Sequence, residues 1–339
     1  MSNVLKKNSK INIIISIIIV NYKSWEHLRN CLLSLEQIDE DNFKYEVIIV
    51  DNASNDGKLN NFSKQFSRFK FIENSGNNGF ANGCNKGAQI ANGDFYLFLN
   101  PDTIVSKKPI LTMLRIAKKF LNYGVISCVQ VNKKGKYEEQ VRFFPRLITL
   151  FGFIRAIFKI LNRRKLAEKF DKSKEIIFPD WISGSVIFMS KKWFKKVYGW
   201  NEDYWMYAED IDLCRKISDI GGEIALTRKA NIIHNHGGSS RLNVKTSALT
   251  KSEVVISKHV YVNNHFRGWA KYFCQFLIVF QVLISKFILA IVGVVFFFIP
   301  KMNLQFYIFV QIVKNYVSMI KRGSWLSERS MNKKHLKEH

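Results

Sequence analysis

Glu209, Asp210 and Asp212 put three carboxylates into four positions of the stretch "YAEDIDLCRK". The chain has 52 Lys+Arg against 27 Asp+Glu, so this is a conspicuous local concentration of negative charge. An apolar-periodic helix follows, and its first N–H groups would use one or two of the three. One carboxylate beyond that need can act as a general base on a hydroxyl nucleophile. A fourth, Asp102, stands in "FLNPDT", where an apolar run stops on Asn100 and Pro101. Asn-Pro is an ordinary way to turn, but a strand's carboxyl end is also where α/β sheets display ligand-binding side chains. Asn100 and Asp102, two apart, can point into one cleft, where a carboxylate suits the Mg²⁺ or Mn²⁺ that escorts a diphosphate. His234 and His236 of "IIHNHGGSS" alternate onto one face of a strand and offer further donors.

Two other stretches end strands in polar residues. In "VDNASNDG", Asp51 can accept from a nucleobase imide N–H and Asn52 can bond a ribose, or the stretch is a capped turn after a buried strand. In "NSGNNGFANGCNKGA" the glycines, Gly79 among them, open a helix closely enough for backbone to approach phosphates. Neither GxGxxG nor GK[ST] occurs, which excludes a dinucleotide fingerprint and a P-loop.

The elements that would position these groups follow from hydrophobic patterning. "ISIIIVNY", "YEVIIVDNAS" and "FYLFLNPDT" are short, continuously apolar runs, separated by helix-length segments such as "SWEHLRNCLLSLEQI". That alternation predicts βαβαβ and a mostly parallel sheet with helices on both faces. Asn21, Asp51, Asn52 and Asp102 then share one sheet edge. The basic run "FFPRLITLFGFIRAIFKILNRRKL", within a variable segment 106–174, predicts an amphipathic helix packed on the core or touching a membrane. "WISGSVIFMS" resumes as strand, and "GEIALTRKANIIHNHGGSS" predicts two more short strands.

Composition limits the partners. The chain has 339 residues, a formal charge of +25, 47% hydrophobic residues and 28 Phe, and so calls for an anionic partner or surface. No RNP motif, zinc finger or helix-turn-helix organises the basic residues, which argues against nucleic acid. The five cysteines are widely spaced without CxxC, as expected of buried free thiols in a reducing compartment. Ile13–Val20 predicts a buried first strand, since no small-residue cleavage site follows it. Beyond Arg267 the composition turns apolar. Phe276–Ile299 as a helix would run about 36 Å, and Pro300 precedes a second apolar helix. We expect a helical hairpin at 267–322, embedded in or lying on a membrane, or else used for a homodimer. A basic tail at 323–339 would meet anionic headgroups on the cytoplasmic face of the plasma membrane.

Taken in order, "SIIIVNYKSWEHLRNCLLSL", "EVIIVDNASNDG", "NNGFANGCNKGA", "FLNPDT", "WISGSVIFMS", "GWNEDYWMYAEDIDLCRKI" and "IIHNHGGSS" resemble the family 2 inverting glycosyltransferases of the GT-A fold. The likeness is greatest to the rhamnosyltransferase-like branch that builds cell-surface polysaccharide, and it spans about residues 13–240. It implies a catalytic domain over 1–266 that moves a sugar from a dTDP- or UDP-linked donor to a hydroxyl of a glycan or lipid-linked acceptor. By the resemblance Asp51 contacts the nucleobase, and "NPD" stands in the place of a metal-binding DxD. Asp102 then holds Mn²⁺ or Mg²⁺, with His234 or its rival His236 as a second ligand. Asn100 stands where a carboxylate is often seen. Glu209 and Asp210 fall on the family's ED pair, with Asp210 the base. Asn21, Asn52, Gly79 and Asn85 would join the nucleotide-sugar site, and Trp181, Gly184, Trp205 and Asp212 the acceptor side. The two rivals are a non-catalytic membrane-surface scaffold of the same fold and a nucleic-acid-binding protein.

Overall fold

The computed structural model describes residues 13–137, 142–147, 152–171, 173–235 and 243–332. Its elements begin with β1 (Ile14–Asn21), α1 (Trp25–Glu36), β2 (Lys44–Asp51), α2 (Lys58–Gln65) and β3 (Lys70–Glu73). Next come α3 (Phe80–Gln89), β4 (Phe95–Leu99), β5 (Thr103–Ile104), α4 (Lys107–Lys119) and β6 (Tyr123–Val131). The basic segment forms α5 (Gly152–Leu161) and α6 (Arg163–Lys169). Then follow β7 (Ile176–Ile177), β8 (Val186–Ser190), α7 (Lys191–Lys196), α8 (Glu209–Asp219) and β9 (Glu223–His234). Three long helices close the chain, α9 (Val244–His265), α10 (Gly268–Val295) and α11 (Pro300–Arg322).

The strands form one sheet in the order β3-β2-β1-β4-β8-β6-β9-β5, with β7 also paired to β9. Strands β1 to β4, β6 and β9 run one way, and β5, β7 and β8 run the other. The β-branched runs alternate between two cores. Ile15, Ile17, Ile19, Val47 and Ile49 pack under α1, α2 and α4. Ile18, Val20, Ile48 and Val50 pack under α3, α7 and α8. Both faces are therefore covered, which is why these strands read as continuously apolar. One strand, β9, replaces the two short ones expected, with a register shift where Cys128 and Val129 meet it.

Register brings the strand ends together. Asn21 lies opposite Asp51, Asn100 N–H donates to Ser185 O at 3.0 Å, and Thr103 pairs with His234. The five cysteines are all buried free thiols.

Sequence patterning left α9 unassigned. It is buried on two sides: Val255 and Val262 pack against Cys274 and Ile278 of α10 and Ile308 and Ile312 of α11. Its other side presents Ile256, Val260 and Tyr261 to Tyr204 and Met319. The α10–α11 hairpin breaks at Pro300, as expected. Helix α10 is long and apolar enough to cross a membrane; it leaves Phe276, Phe280 and Phe287 exposed, as are Phe296 to Phe298 in the turn that follows. Residues 323–332 are not a free tail. Ser330 Oγ donates to Glu202 O at 3.0 Å, and Asn332 Nδ2 to Asp203 Oδ1 at 2.8 Å. Trp325 stacks on His259 with centroids 4.5 Å apart. The remainder of the tail lies outside the described residues.

Candidate active site

The strand ends, the start of α8 and the inner wall of α9 enclose a cavity of about 810 Å³. Asn52, Gly79, Asn100, Asp102, Trp181, Gly184, Trp205, Glu209, Asp210 and His234 line it. Residues assigned from widely separated motifs thus meet in one place. His236 lies outside the described residues.

The ED pair sits at the first turn of α8. Tyr207 and Ala208, just before it, adopt φ of 71° and 64°, left-handed values that cost non-glycine residues about 1 kcal/mol or more. The strain turns the chain sharply, so that Asp210 faces the cavity. Its Oδ2 accepts from Gly184 N–H at 3.0 Å and its Oδ1 from Ile211 N–H at 2.8 Å. Gly184 therefore holds the carboxylate with its backbone, rather than simply making room for an acceptor. Burial raises the Asp210 pKa, while these two N–H groups and the Arg142 charge pull it back. Glu209 is pushed up to about 8, first by burial and then by the adjacent Asp210 carboxylate. Of the pair, Glu209 is thus the acid that holds its proton at neutral pH. One of two adjacent buried acids stays protonated because both cannot ionise cheaply.

Between β4 and β5, Asp102 Oδ1 lies 3.2 Å from Nε2 of His234 at the end of β9, both largely buried. Oδ1 is shielded from solvent and has no hydrogen-bond partner. A shielded carboxylate oxygen beside an imidazole nitrogen fits a divalent cation, the imidazole favouring Mn²⁺ over Mg²⁺. Among the described residues no group of three His, Cys, Asp or Glu is placed to hold a metal ion. Two protein donors leave the other positions to phosphate oxygens and water, the pattern expected where the cation is shared with a diphosphate. Asn100, also on the cavity, is not a substitute for a charged ligand.

Four expectations need correction. Asp51 is 1% exposed and accepts from Asn21 Nδ2 at 2.7 Å, Ser54 N–H at 2.8 Å and Ser54 Oγ at 2.7 Å. Its carboxylate shapes the turn through Ala53 and Asn55, both at positive φ, and does not line the cavity. Asn21, fully buried, is its partner and likewise off the cavity. Asn85 clamps the segment before Trp205, donating to Trp200 O at 2.9 Å and Glu202 Oε1 at 2.7 Å. Asp212 is 1% exposed and turned away from the acceptor side. It accepts from Tyr204 OH at 3.2 Å, and His265 Nε2 of α9 approaches it to 2.7 Å. It ties α8 to α9.

Asn52 does reach the cavity, but its Nδ2 donates to Gly79 O at 3.0 Å, which fixes the glycine loop. Gly79 has φ of +91°, and a Cβ there would sit 2.1 Å from Trp205 O. Gly79→Ala should therefore push back the Trp205 loop and destabilise by about 1–3 kcal/mol. Gly135, at φ +72° with open space around it, is the control for strain alone. Thermal unfolding of the two alanine variants should show a clearly larger loss for Gly79→Ala. Equal losses would mean the contact is not limiting.

Several lining residues had no local signal. Arg329, from beyond α11, lies over the Trp205 ring at 5.4 Å and borders the cavity. Arg142 lies over the Trp181 ring at 4.6 Å. From α9 come Ser257, Lys258 and Tyr261, at helical spacing.

Comparison with known proteins agrees with this geometry. The profile of glycosyl transferase family 2 matches residues 16–161, and that of the N-terminal domain of galactosyltransferase matches 164–236. Rhamnosyltransferase WbbL of Escherichia coli K12 is 27% identical over 226 residues, covering 64% of this chain and 82% of its own. N-acetylglucosaminyl-diphospho-decaprenol L-rhamnosyltransferase of Mycobacterium tuberculosis is 22% identical over 273 residues, covering 76% of this chain and 86% of its own. Among solved structures, the mannosyltransferase PcManGT from Pyrobaculum calidifontis, in complex with GDP-Man and Mn²⁺, superposes with a TM-score of 0.52. That match is 14% identical and covers 89% of this chain and 86% of the other, a likeness of fold. Residues 16–161 thus match the family 2 glycosyltransferases, the fold is that of GT-A enzymes, and rhamnosyltransferases are among the relatives.

Proposed function

We propose that the chain is an inverting hexosyltransferase of cell-surface polysaccharide synthesis, taking a sugar, rhamnose by analogy with its relatives, from a dTDP- or UDP-linked donor. The acceptor is a hydroxyl of a glycan or lipid-linked glycan. The observation that carries the reading is Asp210, held by two backbone N–H groups on the cavity that also contains Asp102 and His234. Asp210 takes the acceptor hydroxyl's proton as that oxygen bonds the anomeric carbon and the bond to the diphosphate breaks on the opposite face. Neutral Glu209 beside it keeps a second negative charge away from the incoming oxygen. Asp102 and His234 would hold a divalent cation, which supplies countercharge to the departing diphosphate. Trp181 and Trp205 offer aromatic faces against which a sugar ring can pack.

The exposed apolar face of α10 supports a seat on the cytoplasmic membrane surface, where a lipid-linked acceptor is presented. Purified full-length protein, incubated with UDP- and dTDP-sugars, should release nucleoside diphosphate slowly from one of them and faster with Mn²⁺. No release and no nucleotide binding across the panel would remove the transferase reading.

A further inference from the structure

Two cations border the active-site cavity without a carboxylate to answer them. Arg155 on α5 and Lys258 on α9 both line it, and neither makes an ion pair or hydrogen bond among the described residues. The charges felt by Lys258 are both positive, from Arg155 and from Lys286 of α10. Burial first, then these two neighbours, holds the Lys258 ammonium below its ordinary range. Like charges left facing each other around a cavity are a net cost to the fold, which an anion between them would reverse. Arginine beside lysine suits phosphate oxygens, the guanidinium binding through two N–H groups and the ammonium as a point charge.

Where these cations stand narrows the anion. Lys286 lies on the same helix as the exposed Phe276, Phe280 and Phe287. The positive charge therefore extends from the cavity of Asp210 to the helix that carries this exposed apolar surface. A ligand bridging the two needs a sugar end, a phosphate and an apolar chain, in that order. On the proposed reading the donor diphosphate is held at Asp102 and His234, which leaves these cations for a second phosphate.

We propose that Arg155 and Lys258, backed by Lys286, form a subsite for the phosphate or diphosphate of a prenyl-linked acceptor. Its hydrocarbon follows the outer face of α10 while its sugar hydroxyl reaches Asp210. The assignment rests on the transferase reading of the cavity. The same phosphate chemistry also occurs in bilayer headgroups, and the test separates the two sources.

Full-length protein in phosphatidylcholine nanodiscs, saturated with UDP or dTDP and Mn²⁺ to fill the donor site, is titrated with farnesyl diphosphate and with farnesol. Wild type should prefer the diphosphate. Arg155→Gln with Lys258→Gln should weaken farnesyl diphosphate binding about tenfold or more and leave farnesol unchanged. Arg155→Lys with Lys258→Arg should retain most of the preference, which excludes misfolding as the cause. In a second arm, partition of the Gln variant onto phosphatidylcholine vesicles with and without phosphatidylglycerol should match wild type. Unchanged farnesyl diphosphate affinity in the Gln variant overturns the subsite. So does a loss confined to phosphatidylglycerol vesicles, which would assign the cations to the bilayer. Nucleotide bound by wild type with no preference for farnesyl diphosphate sinks the subsite alone. Failure of wild type to bind any nucleotide sinks the transferase reading with it.

Discussion

Asp210→Asn should lower turnover by about 10²–10⁴-fold while nucleotide binding stays close to wild type. The reason is chemical, since a neutral amide cannot take the acceptor's proton. The fold should tolerate the change because the amide oxygen can still accept one of the two backbone N–H groups, from Gly184 or Ile211. The other N–H loses its acceptor, so a modest fall in thermal stability is expected and should be measured alongside. The pH profile adds a sign. Burial raises the Asp210 pKa, so wild-type turnover should fall as pH drops through a value above the ordinary carboxylate range. The Asn variant should lack that limb. An unchanged turnover with the limb intact would transfer the role to Glu209.

Glu209 works in the opposite sense on stability. Its folded-state pKa, raised to about 8, exceeds the ordinary value of 4.5, so the folded state binds its proton more tightly than the unfolded chain does. Its unfavourable contribution is absent below the ordinary value and grows as pH rises toward about 8.

How much of this was legible follows from distance along the chain. Asp102 and His234 each stand at the end of an apolar run, where alternation alone puts a side chain on the sheet edge, and Asp210 opens an apolar-periodic helix. Asp51 looked the same in sequence. Whether a strand-end carboxylate faces a ligand or its own turn depends here on Ala53 and Asn55 adopting positive φ, and neither residue type announces that. Asp212 misled for a related reason. It lies two positions from Asp210, about half a helix turn, so one faces the cavity and the other His265. The α9 wall and the Asn82–Glu202–Asn85 clamp were not readable, since the clamp joins residues up to 120 positions apart. Nothing local requires such pairs. They exist because the loop that carries Trp205 must be fixed against Gly79.

The second large effect belongs to Asp102. Asp102→Ala should weaken Mn²⁺-dependent nucleotide binding by at least about 10–100-fold, the range already produced by loss of partners one shell further out. The more decisive expectation concerns the titration without metal. In wild type with chelator present, the Asp102 carboxylate repels an incoming diphosphate, and Oδ1 has no hydrogen bond to quieten it. Removing that charge should leave metal-free affinity equal to or above wild type. The variant should thus bind nucleotide more weakly than wild type with Mn²⁺ and no more weakly with EDTA. A purely structural role would lower both. Asp102→Asn repeats the test without opening a cavity at the junction where Thr103 pairs with His234. His234→Ala should fall between, because it removes one donor and leaves the carboxylate, which still attracts the cation but with a single protein ligand. If wild type binds UDP and dTDP equally well with and without Mn²⁺, the cation site is not at Asp102 and His234. Their 3.2 Å pairing would then be an ion pair that fastens β5 to β9.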